Sequence, residues 1–316
     1  MKDPLEELDG VGPKTASKLK AIGITSVEAL AITPIQEITS KTDLKHNDAL
    51  KIVVSAREHI GLKSDFVTAL EIWEKQKTRI RCSTGCEALD KLLAGGIETQ
   101  AITEFAGEYG SGKTTICNKL CVMAQQPHEK GGLEGSILYF DTEGTFSSLR
   151  IQQIADAMKL DPEQVLSKII VSRAYTSDHQ TFLLDHAFKI CKEQGVKLVI
   201  VDSVMSHFRG EYIGRESLAE RQQRLNNYMH KLLRLADLYN LAVVITNQAQ
   251  ADPQYFGDPI RPTGGHVLGH ASTHRVLLRK ASKEPRRIAR MLDSPYIPEG
   301  ECRFIISEKG IEDVPD

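Results

Sequence analysis

From residue 79 onward, short apolar runs alternate with longer stretches whose apolar positions recur at helical spacing. The runs are Ala101-Ile-Thr-Glu-Phe105-Ala, Ile137-Leu-Tyr-Phe140, Lys168-Ile-Ile-Val171, Lys197-Leu-Val-Ile-Val201 and Leu241-Ala-Val-Val-Ile245. Helical patterns fall between them: a segment opening at Ile116, residues 150–158, residues 177–194, and a long helix opened by Ala219-Glu-Arg221-Gln-Gln-Arg224. This alternation predicts an α/β core with a mostly parallel central sheet covered by helices on both faces.

The first sixty residues have a different texture. Pro4 to Leu8 reads as a short helix, Asp9-Gly10-Val11-Gly12 as a tight turn, and Pro13 to Ile22 as a second helix. Pro at its first position and Gly23 just past its end support that reading. Thr33-Pro34-Ile35-Gln36 carries a capping-box pattern, and an amphipathic segment runs from Asp48 to Ile60 before Gly61 stops it. Residues 61–78 show no sustained periodicity and read as a linker holding the single tryptophan, Trp73. The expected division is a helical domain over 1–60, a linker over 61–78 and the α/β core over 79–316.

Composition adds boundaries more than direction. At 316 residues, with 41% hydrophobic and 26% charged positions, the chain is ordinary globular material. No apolar run approaches the length of a membrane span and the N-terminus lacks a signal-peptide core, so the cytoplasm is the expected location. Cys82 and Cys86, like Cys117 and Cys121, sit four apart without a flanking His or Cys cluster to complete a zinc site; they read as packing thiols. A net charge of −2 neither demands nor forbids nucleic acid, because local patches bind phosphates.

The chemistry is concentrated after the first core strand, in Gly107-Glu108-Tyr109-Gly110-Ser111-Gly112-Lys113-Thr114-Thr115. This is the Walker A pattern in a strand–loop–helix setting, in which glycines let backbone amides face phosphate oxygens. Lys113 supplies a full positive charge, and Thr114 a hydroxyl for Mg2+ beside bound ATP. In open α/β sheets, ligands bind beyond the carboxyl ends of the strands. Three other strand ends carry Glu143, Asp202 and Gln248, which should converge on the same crevice. Asp202 is the candidate Walker B acid for the metal, against the alternative of a strand-end acid capping a helix. Glu143 is the candidate to orient and deprotonate the attacking water, against a plain surface acid. Gln248 suits γ-phosphate sensing, because an amide both donates and accepts without changing charge.

Two segments after these strand ends suit single-stranded nucleic acid. One carries Arg209, Tyr212, Arg215 and Arg221; the other, residues 249–265, lacks a regular period. A solvated arginine-rich face would look similar. The Gly10-Val-Gly12-Pro-Lys14 turn resembles a helix–hairpin–helix motif whose amides meet a DNA phosphate, or simply turns the chain. Phe66-Val-Thr-Ala69 is either a local packing turn or a strand that adds to a neighbour's sheet edge, with Phe66 and Ala69 filling a large and a small pocket.

Taken in order, these residues resemble the archaeal and eukaryotic strand-exchange recombinases, related to bacterial RecA, over nearly the whole chain. The resemblance runs through Gly10–Lys14, Phe66–Ala69, Ser83-Thr-Gly85, Leu93–Gln100, the Walker loop, Asp141-Thr-Glu143-Gly-Thr-Phe146 and Phe208–Arg215. It continues through Arg221-Gln-Gln, Thr246-Asn-Gln248, Phe256-Gly-Asp-Pro259, Gly264-Gly-His266 and Asp293–Glu299. It implies a RecA-like P-loop ATPase that forms helical filaments or rings and uses ATP and Mg2+. Its partners would be single- and double-stranded DNA, copies of itself and recombination mediators, and its activity homologous pairing and strand exchange.

The resemblance further implies that Phe66 and Ala69 dock into the adjacent subunit and that ATP sits between subunits, with Glu143 as the catalytic carboxylate. Arg150 would pack on one adenine face and the neighbour's Pro298 on the other, with the neighbour's Asp293 near the phosphates and its His270 sensing the γ-phosphate. Arg209, Tyr212, Arg215 and Arg221 match the first DNA loop and residues 249–265 the second. Three positions depart from the usual pattern: Glu216 stands in place of a glycine, Ser147-Ser-Leu149 in place of arginine–proline–glutamate, and Thr115 in place of glutamine. Two other readings remain open, an accessory paralogue that regulates filaments and a DNA-binding adaptor with a structural nucleotide site.

Overall fold

The computed structural model describes residues 3–61, 66–251, 260–282 and 285–315. Phe256-Gly-Asp-Pro259, within the second expected loop, lies outside the described residues. The chain divides into two units, residues 1–78 with 181–193 and residues 79–180 with 194–316.

The first unit opens with a single 3-10 turn over Pro4–Glu7 and four helices, α1 (Pro13–Ala21), α2 (Val27–Ile32), α3 (Ile35–Lys41) and α4 (His46–His59). Leu5, Leu19, Leu30, Ile38 and Val53 are fully buried and form its core. Gly10 makes the turn before α1 at φ +86°, a conformation that side chains other than glycine resist. The expected capping box at Thr33 is absent. The Thr33 hydroxyl instead donates back to the Ala29 carbonyl at 2.6 Å, and Pro34 precedes α3 without a side-chain cap. The cap in this region is Ser26, whose hydroxyl accepts from the Ala29 amide at 3.1 Å and starts α2.

The linker expected over 61–78 contains a helix, α5 (Ala69–Lys77), capped by Thr68 accepting from the Glu71 amide at 3.2 Å. None of its residues is buried. Its apolar residues Leu70, Ile72 and Trp73 fall within about one turn, too short a run to show as a sustained period.

The second unit holds β1 (Arg81–Cys82), α6 (Glu87–Leu92), β2 (Ile97–Glu98), β3 (Ile102–Gly107), α7 (Lys113–Met123), β4 (Ser136–Asp141), α8 (Ser148–Ala157), α9 (Pro162–Ser167) and β5 (Ile169–Arg173). Next comes α10 (Ser177–Glu193), whose residues from 181 group with the first unit. The chain continues through β6 (Val196–Asp202), α11 (Ser206–Glu211), α12 (Leu218–Tyr239), β7 (Ala242–Ala251) and β8 (Ile260–Pro262). It closes with α13 (Gly265–Ala271), β9 (His274–Lys280), β10 (Arg286–Asp293), β11 (Glu301–Ser307) and β12 (Gly310–Asp313).

The main sheet runs β12-β11-β10-β9-β3-β7-β6-β4-β5, with β8 paired to β7. From β9 to β5 every neighbouring pair is parallel, as the apolar runs require, because such strands are buried on both faces. The antiparallel extension β10–β12 was not foreseen from the pattern. Helix α7 buries Ile116, Cys117, Leu120 and Cys121 in the same core as Phe105, Tyr139, Ile200 and Val244. All six cysteines are free thiols, five of them buried, in keeping with a packing role.

The two segments read as suited to single-stranded nucleic acid both carry regular structure. Residues 206–211 form α11, and the 249–265 segment begins and ends as an antiparallel ribbon in which Ala249 faces Pro262 and Gln250 faces Arg261.

Candidate functional site

The parallel strands bring their carboxyl ends to one edge, and register fixes which residues meet there. Gly107, the last residue of β3, pairs with Gln248 of β7, and Asp141 of β4 pairs with Asp202 of β6.

At this edge the phosphate loop is closed by sterics. A Cβ on Gly107 would stand 2.4 Å from Ser111 Oγ and 2.6 Å from the Leu278 carbonyl oxygen, so only glycine fits. Gly110 (φ +75°) and Gly112 (φ +107°) occupy the left-handed region, and Gly112 opens α7. Lys113 Nζ donates to the Gly107 and Glu108 carbonyls at 2.8 and 2.9 Å, folded over the loop's own backbone. Burial lowers the Lys113 ammonium from its ordinary value, an effect opposed by the charges of Asp202 and Glu143. Glu108 and Tyr109 are exposed at the loop's tip and Thr115 is half-buried. Ser111 Oγ is buried without a hydrogen-bond partner, and buried polar atoms are seldom left so. A glycine-lined turn, a helix N-terminus, a lysine and an unpartnered hydroxyl together fit a polyphosphate.

Asp202 is the hub beneath this loop. Its Oδ2 accepts from the Thr114 hydroxyl at 2.9 Å and from the Tyr139 hydroxyl at 2.8 Å, and its Oδ1 accepts from the Thr246 hydroxyl. Tyr139 and Thr246 belong to the site but were not foreseen; each lies inside an apolar strand, and only strand register shows what it faces. Thr114 and Asp202 offer a hydroxyl and a carboxylate, the oxygen donors with which Mg2+ is held beside substrate phosphates.

Glu143 is exposed on a loop organised by Asp141. Asp141 Oδ1 accepts from the amides of Glu143, Gly144 and Thr145 at 3.2, 2.7 and 3.1 Å, and from Arg173 at 3.1 Å. The Ser203 hydroxyl donates to Glu143 Oε1 at 2.6 Å, and the Ser203 amide donates to Thr142 Oγ1 at 2.8 Å. Asp141 therefore fixes the backbone of Glu143, and Ser203 aims its carboxylate. The Asp141–Gly144 spacing, an acid followed three residues later by glycine, is the sequence signal for this turn.

Gln248 is exposed, and its Oε1 accepts from Arg209 of α11 at 3.1 Å. The strand-end amide and the first arginine of the following segment are thus in direct contact. Glu211, two residues on, accepts from the Ser177 amide at 2.7 Å and ties the segment to the start of α10. Tyr212 follows α11, with the Arg224 guanidinium 5.5 Å from its ring centre; Arg224 also pairs with Asp178 at 2.5 Å and Glu220 at 3.0 Å. Arg215 is exposed and Arg221 half-buried, while Glu216 is exposed beside Arg215.

Other predicted site residues stand apart from this edge. Arg150 donates to Gln153 Oε1 at 3.0 Å and to the carbonyls of Ser307 and Glu308 in the β11–β12 turn. His270 is exposed on α13 with its ring stacked 6.0 Å from that of His266. Asp293 ends β10, and Pro298 is exposed in the segment that follows. Among the described residues no hydrogen bond or ion pair joins these four to the phosphate loop. In the first unit, Gly10 forms its turn, Gly12 starts α1, and Lys14 is exposed on the first turn of that helix. Phe66 is fully exposed, and Ala69 opens α5.

Comparison with known proteins agrees with the geometry. The family described as Rad51 matches residues 75–314. The chain is 50% identical over 310 residues to the DNA repair and recombination protein RadA of Aeropyrum pernix, across 98% of this chain and 96% of that relative.

Proposed function

The chain belongs to the Rad51 family, and from that premise we propose that it is a DNA-dependent ATPase that assembles on single-stranded DNA and catalyses homologous pairing and strand exchange in DNA repair. The observation that carries the reading is the continuous contact from nucleotide loop to DNA segment. Thr114 bonds Asp202, Gln248 lies across from Gly107, and Arg209 holds Gln248.

In this reading the amides of residues 107–115 and Lys113 would hold the ATP phosphates, and Thr114 with Asp202 would hold Mg2+, which would neutralise phosphate charge. Glu143, aimed by Asp141 and Ser203, takes the proton of the attacking water. Gln248 reads the γ-phosphate and passes its presence to Arg209. Arg209, Tyr212, Arg215 and Arg221 meet the phosphates and bases of a single strand. Strand exchange itself swaps base pairs and breaks no covalent bond.

Assembly completes the site. The exposed Phe66, with Ala69, docks on the next copy, since Phe66, Val67, Leu70, Ile72 and Trp73 form an exposed apolar run that calls for a partner surface. The neighbour's Asp293, Pro298 and His270 close over the nucleotide, with Arg150 on the opposite adenine face. Residues 1–60 serve as a helical domain whose Gly10–Lys14 turn meets DNA backbone, and residues 61–78 carry the docking segment. Recombination mediators and a cytoplasmic location accompany this role. No helix among the described residues is long and apolar enough to cross a membrane.

A strand-exchange assay with the wild-type chain, Lys113→Ala and Glu143→Gln tests the proposal. Wild type should hydrolyse ATP faster with single-stranded DNA and pair homologous strands, while both variants lose hydrolysis. Hydrolysis without pairing would assign the chain to the accessory paralogues instead.

A further inference from the structure

Glu98 ends β2, shortly before the strand that leads to the phosphate loop, and its carboxylate is bonded to residues from three other parts of the chain. It is 3% exposed. Its Oε1 accepts from Arg79 at 2.8 Å; its Oε2 accepts from the Tyr296 hydroxyl and lies 3.1 Å from His274 Nε2. His274 is equally buried, and its Nδ1 lies 3.1 Å from Ser294 Oγ. A carboxylate only accepts, so His274 Nε2 donates to Glu98; with the ring neutral, Nδ1 accepts the Ser294 hydroxyl proton. Ser294 Oγ in turn accepts from the amides of Tyr296 and Ile297 at 3.4 and 3.0 Å.

The chain of bonds therefore runs from a buried carboxylate through a buried imidazole to the backbone of residues 294–297. That segment has no regular secondary structure, and it leaves β10 at a break in register between Met291 and Asp293. Its stem is closed by the Met291 amide donating to the Gly300 carbonyl at 2.9 Å. Within the segment, the side chains of Ser294 and Tyr296 supply its hydrogen bonds to the core. Burying a carboxylate and an imidazole carries a desolvation cost that their hydrogen bonds must offset, which ties the buried pair to the geometry of Ser294 and Tyr296.

We propose that Glu98 and His274 are positioning residues that set the shape of the 293–299 segment, through Ser294 and Tyr296, so that each subunit presents Pro298 and Asp293 in a fixed pose to the nucleotide of the next. The inference rests on the reading that this segment closes over a neighbour's ATP. Glu98 and His274 touch no nucleotide; they act through the segment.

The test compares Ser294→Ala, Ser294→Thr, Tyr296→Phe and Pro298→Gly in the full-length protein, measuring kcat and KM for ATP with saturating single-stranded DNA. Ser294→Ala and Tyr296→Phe should each raise KM about fivefold, the net worth of one hydrogen bond, with kcat changed far less. Ser294→Thr, which keeps the hydroxyl, should restore the wild-type KM. Pro298→Gly should raise KM as well. If Pro298→Gly raises KM while Ser294→Ala and Tyr296→Phe lower only the melting temperature, the positioning role is overturned and the closing segment stands. If Pro298→Gly leaves KM unchanged, the reading of the segment fails and the inference fails with it.

Discussion

The Ser203 hydroxyl donates to Glu143 Oε1 at 2.6 Å, joining the residue after the β6 acid to the loop after β4. Glu143 is exposed; Asp141 fixes its backbone, and among the described residues no other hydrogen bond holds its side chain. Ser203→Ala should therefore lower kcat for ATP hydrolysis roughly tenfold by loosening the base, while Glu143→Gln should lower it by about a hundredfold or more by removing it. Steady-state kinetics with saturating single-stranded DNA would check both, with KM for ATP nearly unchanged in each. Equal losses in the two variants would mean that Ser203 does more than aim Glu143.

Gly107 and Gly12 make a contrast between two glycines that a pattern search treats alike. A Cβ at Gly107 would collide with Ser111 Oγ and the Leu278 carbonyl, whereas a Cβ at Gly12 meets nothing within 4 Å and that residue's φ is −90°. Gly107→Ala should weaken ATP binding at least tenfold, about 1.4 kcal/mol, as read by fluorescent-nucleotide titration. Gly12→Ala should leave nucleotide affinity and the melting temperature at wild-type values. If Gly12→Ala nonetheless reduced duplex binding, the loss would locate a DNA contact at this turn.

The difference between those glycines shows what the sequence could and could not deliver. Gly107, Lys113, Glu143, Asp202 and Gln248 were legible because each ends or follows an apolar run, and parallel strands put such ends on one edge. Tyr139, Thr246 and Ser203 were not. Their roles depend on which strand lies beside which, and the order β3-β7-β6-β4 is not written in any local period. Glu98 and His274 lie 176 positions apart, a separation no motif spans. Helix α5 escaped because its apolar residues, Leu70, Ile72 and Trp73, are confined to its first half and repeat too few times to set a period. The capping box at Thr33 failed because its hydroxyl had a nearer acceptor in the preceding turn, the Ala29 carbonyl.

Arg209 reaches Gln248 Oε1 at 3.1 Å from a short helix that is itself tied to the start of α10 through Glu211. On the proposed function, a γ-phosphate that draws the Gln248 amide toward it would pull on this bond, and Arg209 would then link nucleotide state to the proposed DNA segment. Arg209→Ala should reduce the stimulation of hydrolysis at saturating single-stranded DNA about fivefold, a coupling of roughly 1 kcal/mol. Titrating DNA to saturation separates this from a lost phosphate contact. Stimulation that recovers fully at high DNA would show that Arg209 only binds the strand.

The Glu98 cluster predicts a specific acid dependence. Burial raises the Glu98 carboxyl, but hydrogen bonds from His274, Tyr296 and Arg79 outweigh it and bring the folded-state value from 4.5 down to about 2. A depressed carboxylate contributes stability that is fully present above its unfolded value and is lost as pH falls through its folded value. The window is therefore pH 4.5 to 2, and the contribution at neutral pH is of the order of 3 kcal/mol. Glu98→Gln cannot ionise and leaves Arg79 facing a neutral amide, so the variant should be less stable than wild type at pH 7. The gap in denaturant-unfolding free energy should stay constant down to about pH 4.5 and shrink steadily below it as wild type takes up the proton. Parallel urea titrations of both proteins from pH 7 to pH 3 measure that gap. A gap that stayed constant through the window would mean that the folded and unfolded chains bind this proton equally, so that the cluster stabilises by shape and not by charge.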